Sequence, residues 1–321
     1  MDYDVFNGDA DGICALQQLR LAEPRAATLV TGVKRDIRLL RRIDSDDCDR
    51  LTVLDISLDS NRDDLLRLLP RCRQAIYVDH HFAGDIPVAD HFTAHIDPAP
   101  DVCTSLIVDR LLGGRYRAWA VAAAYGDNLH EAAAKAARTL SLPADRLAAL
   151  RELGELLNYN GYGRTVADLH VAPDRLFLSM RGFDDPFAFI GSSPVLPTLR
   201  QGFHDDMARA RSAAAEVVDG VGRLFHFPDS GWARRVAGVF SNEIARERPD
   251  LAHALLVDNG DGTLMASVRA PLSRKNGADE LCRAFPTGGG RAGAAGINAL
   301  PTAMLADFQR AFAATFSRST P

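Results

Sequence analysis

The sequence predicts an α/β protein in two parts, a parallel-sheet domain joined by a helical linker to a smaller α/β domain. Three observations predict it. Short β-rich runs alternate with amphipathic stretches over the first 130 residues, as in strand–helix–strand units with short connections. A long helical stretch follows the Ser192-Ser193-Pro194 and Pro197 punctuation. Late in the chain, an Asn-Gly and Asp-Gly turn separates two apolar runs, the signature of a hairpin. A length of 321 residues suits two domains at roughly 100–200 residues each.

Asp4–Phe6, Ala27–Val33, Leu51–Ile56 and Ala75–Val78 are short runs rich in Val, Ile, Leu or aromatics and read as buried strands. Between them, Ile13–Leu21, Asp36–Leu40 and Asn61–Leu69 space their apolar residues for helices. From Thr104 to about Leu157 the chain turns helical and Ala-rich, with Thr104-Ser105 read as an N-cap. Leu199–Val221 reads as the long connecting helix. A second α/β pattern starts near Ala237–Phe240, and His253–Val257 and Leu264–Val268 flank the turn at Asp258–Gly262.

Composition removes several classes. Hydrophobic residues at 47%, charged residues at 25% and a mean hydropathy of −0.09 are those of a globular protein, not a disordered or fibrous one. The longest apolar run, Ala118–Tyr125, is far below the ~20 residues of a membrane helix. The net charge of −5 argues against a dedicated binder of long duplex nucleic acid. The acidity is concentrated in residues 1–185, where 22 Lys+Arg face 29 Asp+Glu. Five cysteines without a Cys-x-x-Cys pair read as isolated buried thiols, and no basic-then-apolar leader opens the chain, so a cytoplasmic protein is expected. Only three of the 37 basic residues are lysine, which reads as codon bias and not as function.

The carboxylates carry the functional signal. Asp9 and Asp11 follow the first predicted strand, Asp55 ends Leu51–Leu54, Asp79-His80-His81 ends Ala75–Val78, and Asp127 follows the apolar helix-like run. In an open parallel sheet, ligands bind beyond the carboxyl ends of the strands, so these groups can converge there. Carboxylates packed together repel unless cations lie among them. Oxygen donors with imidazole suit Mn²⁺ or Mg²⁺, and two ions bridged by a carboxylate would clamp a phosphoryl group for in-line displacement. Asn7-x-Asp9-x-Asp11-Gly12 also matches the start of an EF-hand loop. Gln18 stands where that loop needs a bidentate Glu, however, and a strand precedes it.

In order and spacing, Asp9-Ala10-Asp11-Gly12, Asp55, Asp79-His80-His81 and Asp127 resemble motifs I to IV of the DHH phosphoesterase superfamily. That superfamily includes RecJ-type nucleases, nanoRNases, cyclic-dinucleotide phosphodiesterases and family II pyrophosphatases. Ser267-Val268-Arg269 and Thr287–Asn298 resemble the DHHA1 substrate-binding domain, with Gly-Gly-Gly-Arg at 288–291 in place of the usual Gly-Gly-Gly-His. The resemblance implies a catalytic DHH domain over 1–190, a helical linker over 191–235 and a DHHA1 domain over 236–321, with the active site in the cleft between the domains. It implies two Mn²⁺ ions (Mg²⁺ being possible), one on Asp9 and Asp55, the other on Asp11, Asp55, His80 and Asp127. His81 would face the scissile phosphate, and Asp79 would orient a histidine. Asn7 stands where relatives usually present an acid or a histidine. Gly288, Gly289, Gly290, Arg291, Arg269 and Asn298 are the expected substrate-binding residues, the glycines by letting backbone N–H groups approach a phosphate and Arg291 by its bidentate fork.

The function expected is Mn²⁺-dependent hydrolysis of short oligonucleotides or linear dinucleotides to 5′-mononucleotides, as an exonuclease or phosphodiesterase, with no long duplex and no membrane as partner. A pyrophosphatase, polyphosphatase or cyclic-nucleotide phosphodiesterase on the same core is the alternative, and a non-catalytic nucleotide sensor the third reading.

Overall fold

A computed structural model describes residues 1–44, 47–218 and 220–317 of the chain. These divide into two compact units, Met1–Gly202 and a second that begins at Phe203. The first is built on strands β1 (Asp2–Phe6), β2 (Thr28–Thr31), β3 (Cys48–Leu54), β4 (Cys72–Asp79) and β5 (Phe92–Ile96), all parallel, in the order β2-β1-β3-β4-β5. Its helices are α1 (Ala10–Ala22), α2 (Leu58–Leu68), α3 (Thr104–Leu111), α4 (Arg117–Gly126), α5 (His130–Ala137), α6 (Ala144–Gly161), α7 (Pro173–Met180) and α8 (Pro186–Ser192).

Hydrophobic burial explains the layers. Val5, Leu51, Val53 and Tyr77 from the sheet pack with Leu58, Leu65 and Leu68 of α2. The Ala-rich run is helix α4, and Trp119 through Ala124 are fully buried. Small residues let it lie close to α6: a side chain at Gly154 would collide with the Ala122 carbonyl. A buried ion pair ties α1 to the sheet. Arg20 donates twice to Asp4 at 2.8 Å and once to Thr52 Oγ1 at 3.0 Å.

The second unit holds β6 (Glu216–Val218), β7 (Gly222–Phe227), β8 (Ala252–Asp258), β9 (Thr263–Arg269), β10 (Gly288–Arg291) and β11 (Ala294–Pro301). They form a mixed sheet in the order β10-β11-β9-β8-β7-β6, in which β7 and β8 are parallel. Helix α9 (Leu196–Arg211) spans the boundary, and α10 (Gly231–Glu247), α11 (Ala278–Arg283) and α12 (Leu305–Ser317) follow. Phe308, Phe312 and Phe316 recur every fourth residue and put one face of α12 into the core with Leu256 and Val268. The predicted hairpin is β8–β9, with Asp258 opposite Leu264.

Several expectations are corrected. Asp36–Leu40 is not a helix. Only Leu40–Arg42 forms a 3₁₀ turn, because Asn61 takes the Leu40 N–H and donates to the Ile37 carbonyl. The connecting helix ends at Arg211 instead of Val221, and Glu216–Val218 is a strand; Asp219, inside the predicted span, lies outside the described residues. Ala237–Phe240 lies within α10, and the second sheet begins before it. Strand β5 was not predicted, since its half-buried Phe-Thr-Ala-His-Ile pattern carries no continuous apolar run. Cys48 and Cys72 are not isolated thiols. They are register partners on neighbouring strands and form a disulfide, while Cys14, Cys103 and Cys282 are buried thiols. Among the described residues, no helix is long and apolar enough to cross a membrane.

Asp4→Asn is expected to destabilise the protein by about 3–5 kcal/mol, because it leaves the Arg20 guanidinium buried without its counter-charge. Arg50→Ala, which removes the exposed partner of Glu23, is expected to cost less than about 1 kcal/mol. Urea unfolding of the two variants checks the contrast.

Candidate metal centre

Parallel β1, β3 and β4 are adjacent, so their carboxyl ends open on one edge. The order reverses direction between β1 and β3, the switch point at which open α/β sheets bind ligands. Asp9 and Asp11 follow β1, Asp55 follows β3, Asp79 ends β4, and Asp127 caps α4. Sheet order therefore gathers residues separated by more than a hundred positions in sequence.

Each carboxylate is held by local structure. Asp9 is the N-cap of α1 and accepts from the Asp11 and Gly12 N–H groups at 3.0 and 3.1 Å. Asp11 accepts from Thr104 N and Ser105 N, both at 2.7 Å, placing its charge at the N-terminus of α3. Thr104 is accordingly not an N-cap. It opens α3 behind Cys103 and donates its hydroxyl to Asp55 Oδ1 at 3.0 Å. Asp55 itself adopts φ 60°, a strained left-handed conformation for a residue with a side chain, directly after β3.

The histidines are oriented as well. His80 Nδ1 lies 2.9 Å from the Val102 carbonyl, which can only accept, so Nδ1 carries the proton. In the neutral ring, Nε2 then turns its lone pair inward, 3.5 Å from Asp55 Oδ1 and 3.9 Å from Asp127 Oδ2. His81 Nδ1 is 2.7 Å from Asp79 Oδ1, and 43% of its side chain faces solvent. Ligand atoms of Asp11, His80 and Asp127, and of Asp55, His80 and His81, lie within 4.8 Å of one another. Buried oxygens with an imidazole fit a hard divalent cation.

One residue of this edge escaped the sequence reading. Lys34, just beyond β2, places Nζ 2.5 Å from Asp9 Oδ2, 3.2 Å from Asp127 Oδ1 and 3.0 Å from Asn158 Oδ1. Its backbone is pinned too: the N–H donates to the Gly161 carbonyl, and the carbonyl accepts from Asn7 Nδ2. Gly161 is needed there, since an added Cβ would sit 3.1 Å from Asp9 Cα. A signal for Lys34 existed. In a chain with three lysines among 37 basic residues, a lysine at a strand end is a chemical choice: a compact point charge instead of a planar fork.

Electrostatics divide the acids. Burial would raise the Asp9 carboxyl, but the Lys34 ammonium and the N–H donors bring it below its ordinary value. Burial would likewise lower the Lys34 ammonium, and the attraction of Asp9 and Asp127 holds it well above its ordinary value. Asp55 is pushed well up by burial and then by Asp11, Asp9, Asp127 and Asp79. Asp127 is raised by burial, with Lys34 only partly offsetting it. His81 is raised: burial opposes its charge, but Asp79 more than compensates.

The candidates of the second unit lie on its sheet. Arg269 on β9 donates to Asn242 Oδ1 and Ser267 Oγ. Gly288, Gly289, Gly290 and Arg291 form β10, an edge strand and not a loop, with Gly288 packed too closely on the Cys282 carbonyl for any side chain. Ala294 pairs with both Arg291 and Arg269, so the two arginines share one cross-strand row. Asn298 is exposed at the register shift of β11.

Metal-free stability should separate Asp9 from Asp55. A raised folded-state carboxyl binds a proton that the unfolded chain releases, so its contribution declines as pH rises from the ordinary carboxylate range toward the raised value. With chelator at pH 7.5, Asp55→Asn is therefore expected to stabilise the protein by about 1 kcal/mol or more. Asp9 is depressed, and its contribution is present at neutral pH and lost on acidification. Asp9→Asn is expected to cost about 1–3 kcal/mol. Urea unfolding checks both signs; shifts in the same direction would contradict this division.

No protein-family model matches the sequence, and no curated protein does. Solved structures do. A DHH-domain protein described as a member of the s1p family of ribosomal proteins superposes with TM-score 0.64 at 12% identity, over 98% of this chain and 85% of that one. Exonuclease RecJ bound to manganese gives 0.60 at 16% identity, over 99% and 90%. A pGpG-specific phosphodiesterase from Vibrio cholerae gives 0.57 at 12%, over 98% of both chains. The chain shares the fold of these solved structures, the first of them a DHH-domain protein.

Proposed function

We propose that this protein is a divalent-metal-dependent phosphodiesterase that hydrolyses short oligonucleotides or linear dinucleotides to 5′-mononucleotides. The observation that carries this reading is the convergence of Asp11, Asp55, His80 and Asp127 at the carboxyl edge of the sheet. Those four would hold the ion, with Mn²⁺ as the ion of choice, since the RecJ exonuclease that shares the fold is bound to manganese. When bound, the ion supplies Lewis-acid polarisation of a phosphoryl oxygen and acidification of water.

The chain's own residues do the rest. Thr104 and the first turn of α3 hold Asp55 and Asp11 in place, so no reorganisation is needed when substrate arrives. Asp79 holds His81 by Nδ1, which leaves Nε2 to face the scissile phosphate and to donate a proton to the leaving oxygen. The raised His81 pKa keeps that proton available nearer neutral pH.

Phe82, adjacent to His81 and 73% exposed, offers a face for stacking a base, which a pyrophosphate substrate would not use. Arg269 on β9 and Arg291 on β10, in one cross-strand row of the second sheet, suit a phosphate, with Gly288–Gly290 on the strand of Arg291 and Asn298 on β11 between the two. The net charge of −5 disfavours long duplexes.

A panel of linear dinucleotides, short oligonucleotides, cyclic dinucleotides and pyrophosphate, each with Mn²⁺, tests the reading. Turnover is expected on the first two, and Asp55→Ala is expected to lower it by at least ~10³-fold while the protein still unfolds cooperatively. A fully active Asp55→Ala variant, or turnover of pyrophosphate alone, would sink it.

A further inference from the structure

We infer that Lys34 is a built-in cation that takes the place of one of the two divalent ions, so that this chain binds a single metal ion. The inference rests on the proposed ion at Asp11, Asp55, His80 and Asp127 and concerns the other end of the same carboxylate row.

A lysine ammonium has three protons to give, and here all three have acceptors: Asp9 Oδ2 at 2.5 Å, Asn158 Oδ1 at 3.0 Å and Asp127 Oδ1 at 3.2 Å. Both Asp9 oxygens are thereby engaged. Its Oδ1 already accepts two backbone N–H groups, and its Oδ2 faces the ammonium. The other side chain at that end is Asn7, a neutral amide: its nitrogen is committed to the Lys34 carbonyl, and its buried Oδ1, which has no hydrogen-bond partner among the described residues, would be the one uncommitted and uncharged oxygen left for an ion there. A divalent ion on Asp9 would have to sit against the ammonium or expel it, and Lys34 is tied at both its backbone N–H and its carbonyl.

Asp127 shows how the two cations divide the row. Its Oδ1 belongs to Lys34, while its Oδ2 turns toward His80 Nε2. The sites are therefore adjacent and distinct: ammonium between Asp9 and Asp127, metal among Asp11, Asp55, His80 and the second oxygen of Asp127. A fixed ammonium supplies a positive charge that neither dissociates nor depends on metal concentration. It cannot bridge to a phosphoryl oxygen through an inner-sphere bond, so the charge it provides is purely electrostatic.

Equilibrium dialysis against MnCl₂ with elemental analysis, together with electron paramagnetic resonance of bound Mn²⁺, tests this without turnover. The wild-type chain is expected to bind one ion with an uncoupled six-line spectrum. Lys34→Met, and Lys34→Gln as a second variant that keeps polar contacts, are expected to bind two ions with an exchange-coupled spectrum. Two ions on the wild-type chain, or one ion in all three proteins, overturns the role of Lys34. No ion on the wild-type chain overturns the metal centre itself, so the two failures are distinguishable. If neither variant folds, the wild-type count still decides the single-ion stoichiometry, which one bound ion supports and two overturn.

Discussion

Three buried carboxylates and a half-buried fourth at one edge of a sheet must be given positive charge, and the rest of the first unit is arranged around that requirement. Desolvation and mutual repulsion raise the carboxyls of Asp55 and Asp127. The fold answers each of the four differently. Asp9 receives the start of α1 and Lys34, and Asp11 receives the start of α3. Asp55 receives a threonine hydroxyl but no cationic side chain comparable to Lys34 at Asp9, in a backbone conformation that costs energy. The poorly compensated end of the row is where the imidazole lone pair points. Structural compensation and the proposed ion would thus be complementary: the protein neutralises what the ion would not.

This division bears on how a protein of net charge −5 handles a polyanion. Lys34 already counts within that total, so a single divalent ion moves the formal charge to −3, where two would move it to −1. The chain stays acidic in total with either count. Such a charge balance favours a short phosphodiester that fits the centre over a long strand.

Much of this was legible in one dimension. Short apolar runs identify the strands, and Asp55 after one, Asp79-His80-His81 after another and Asp9 three residues beyond a third mark the candidate site, because a parallel sheet buries its strands and exposes its carboxyl termini. The hairpin at Asp258–Gly262 was legible because its turn residues favour positive φ, and Gly260 and Gly262 adopt it. Strand β5, the false helix at Asp36–Leu40 and the glycine-rich edge strand were not legible. Their conformations are set by neighbours distant in sequence, such as Asn61 for the first turn and β11 for the glycines.

By itself, then, the sequence determined the identity of the acids and histidines, their place at strand ends and the α/β class, since these follow from local periodicity and residue chemistry. Only the tertiary structure decided that Lys34 joins Asp9 and Asp127, that α3 begins on Asp11, that Cys48 meets Cys72, and which tautomer His80 presents. Those contacts depend on strand order and register, and nothing in local sequence spacing encodes a neighbour 93 positions away along the chain.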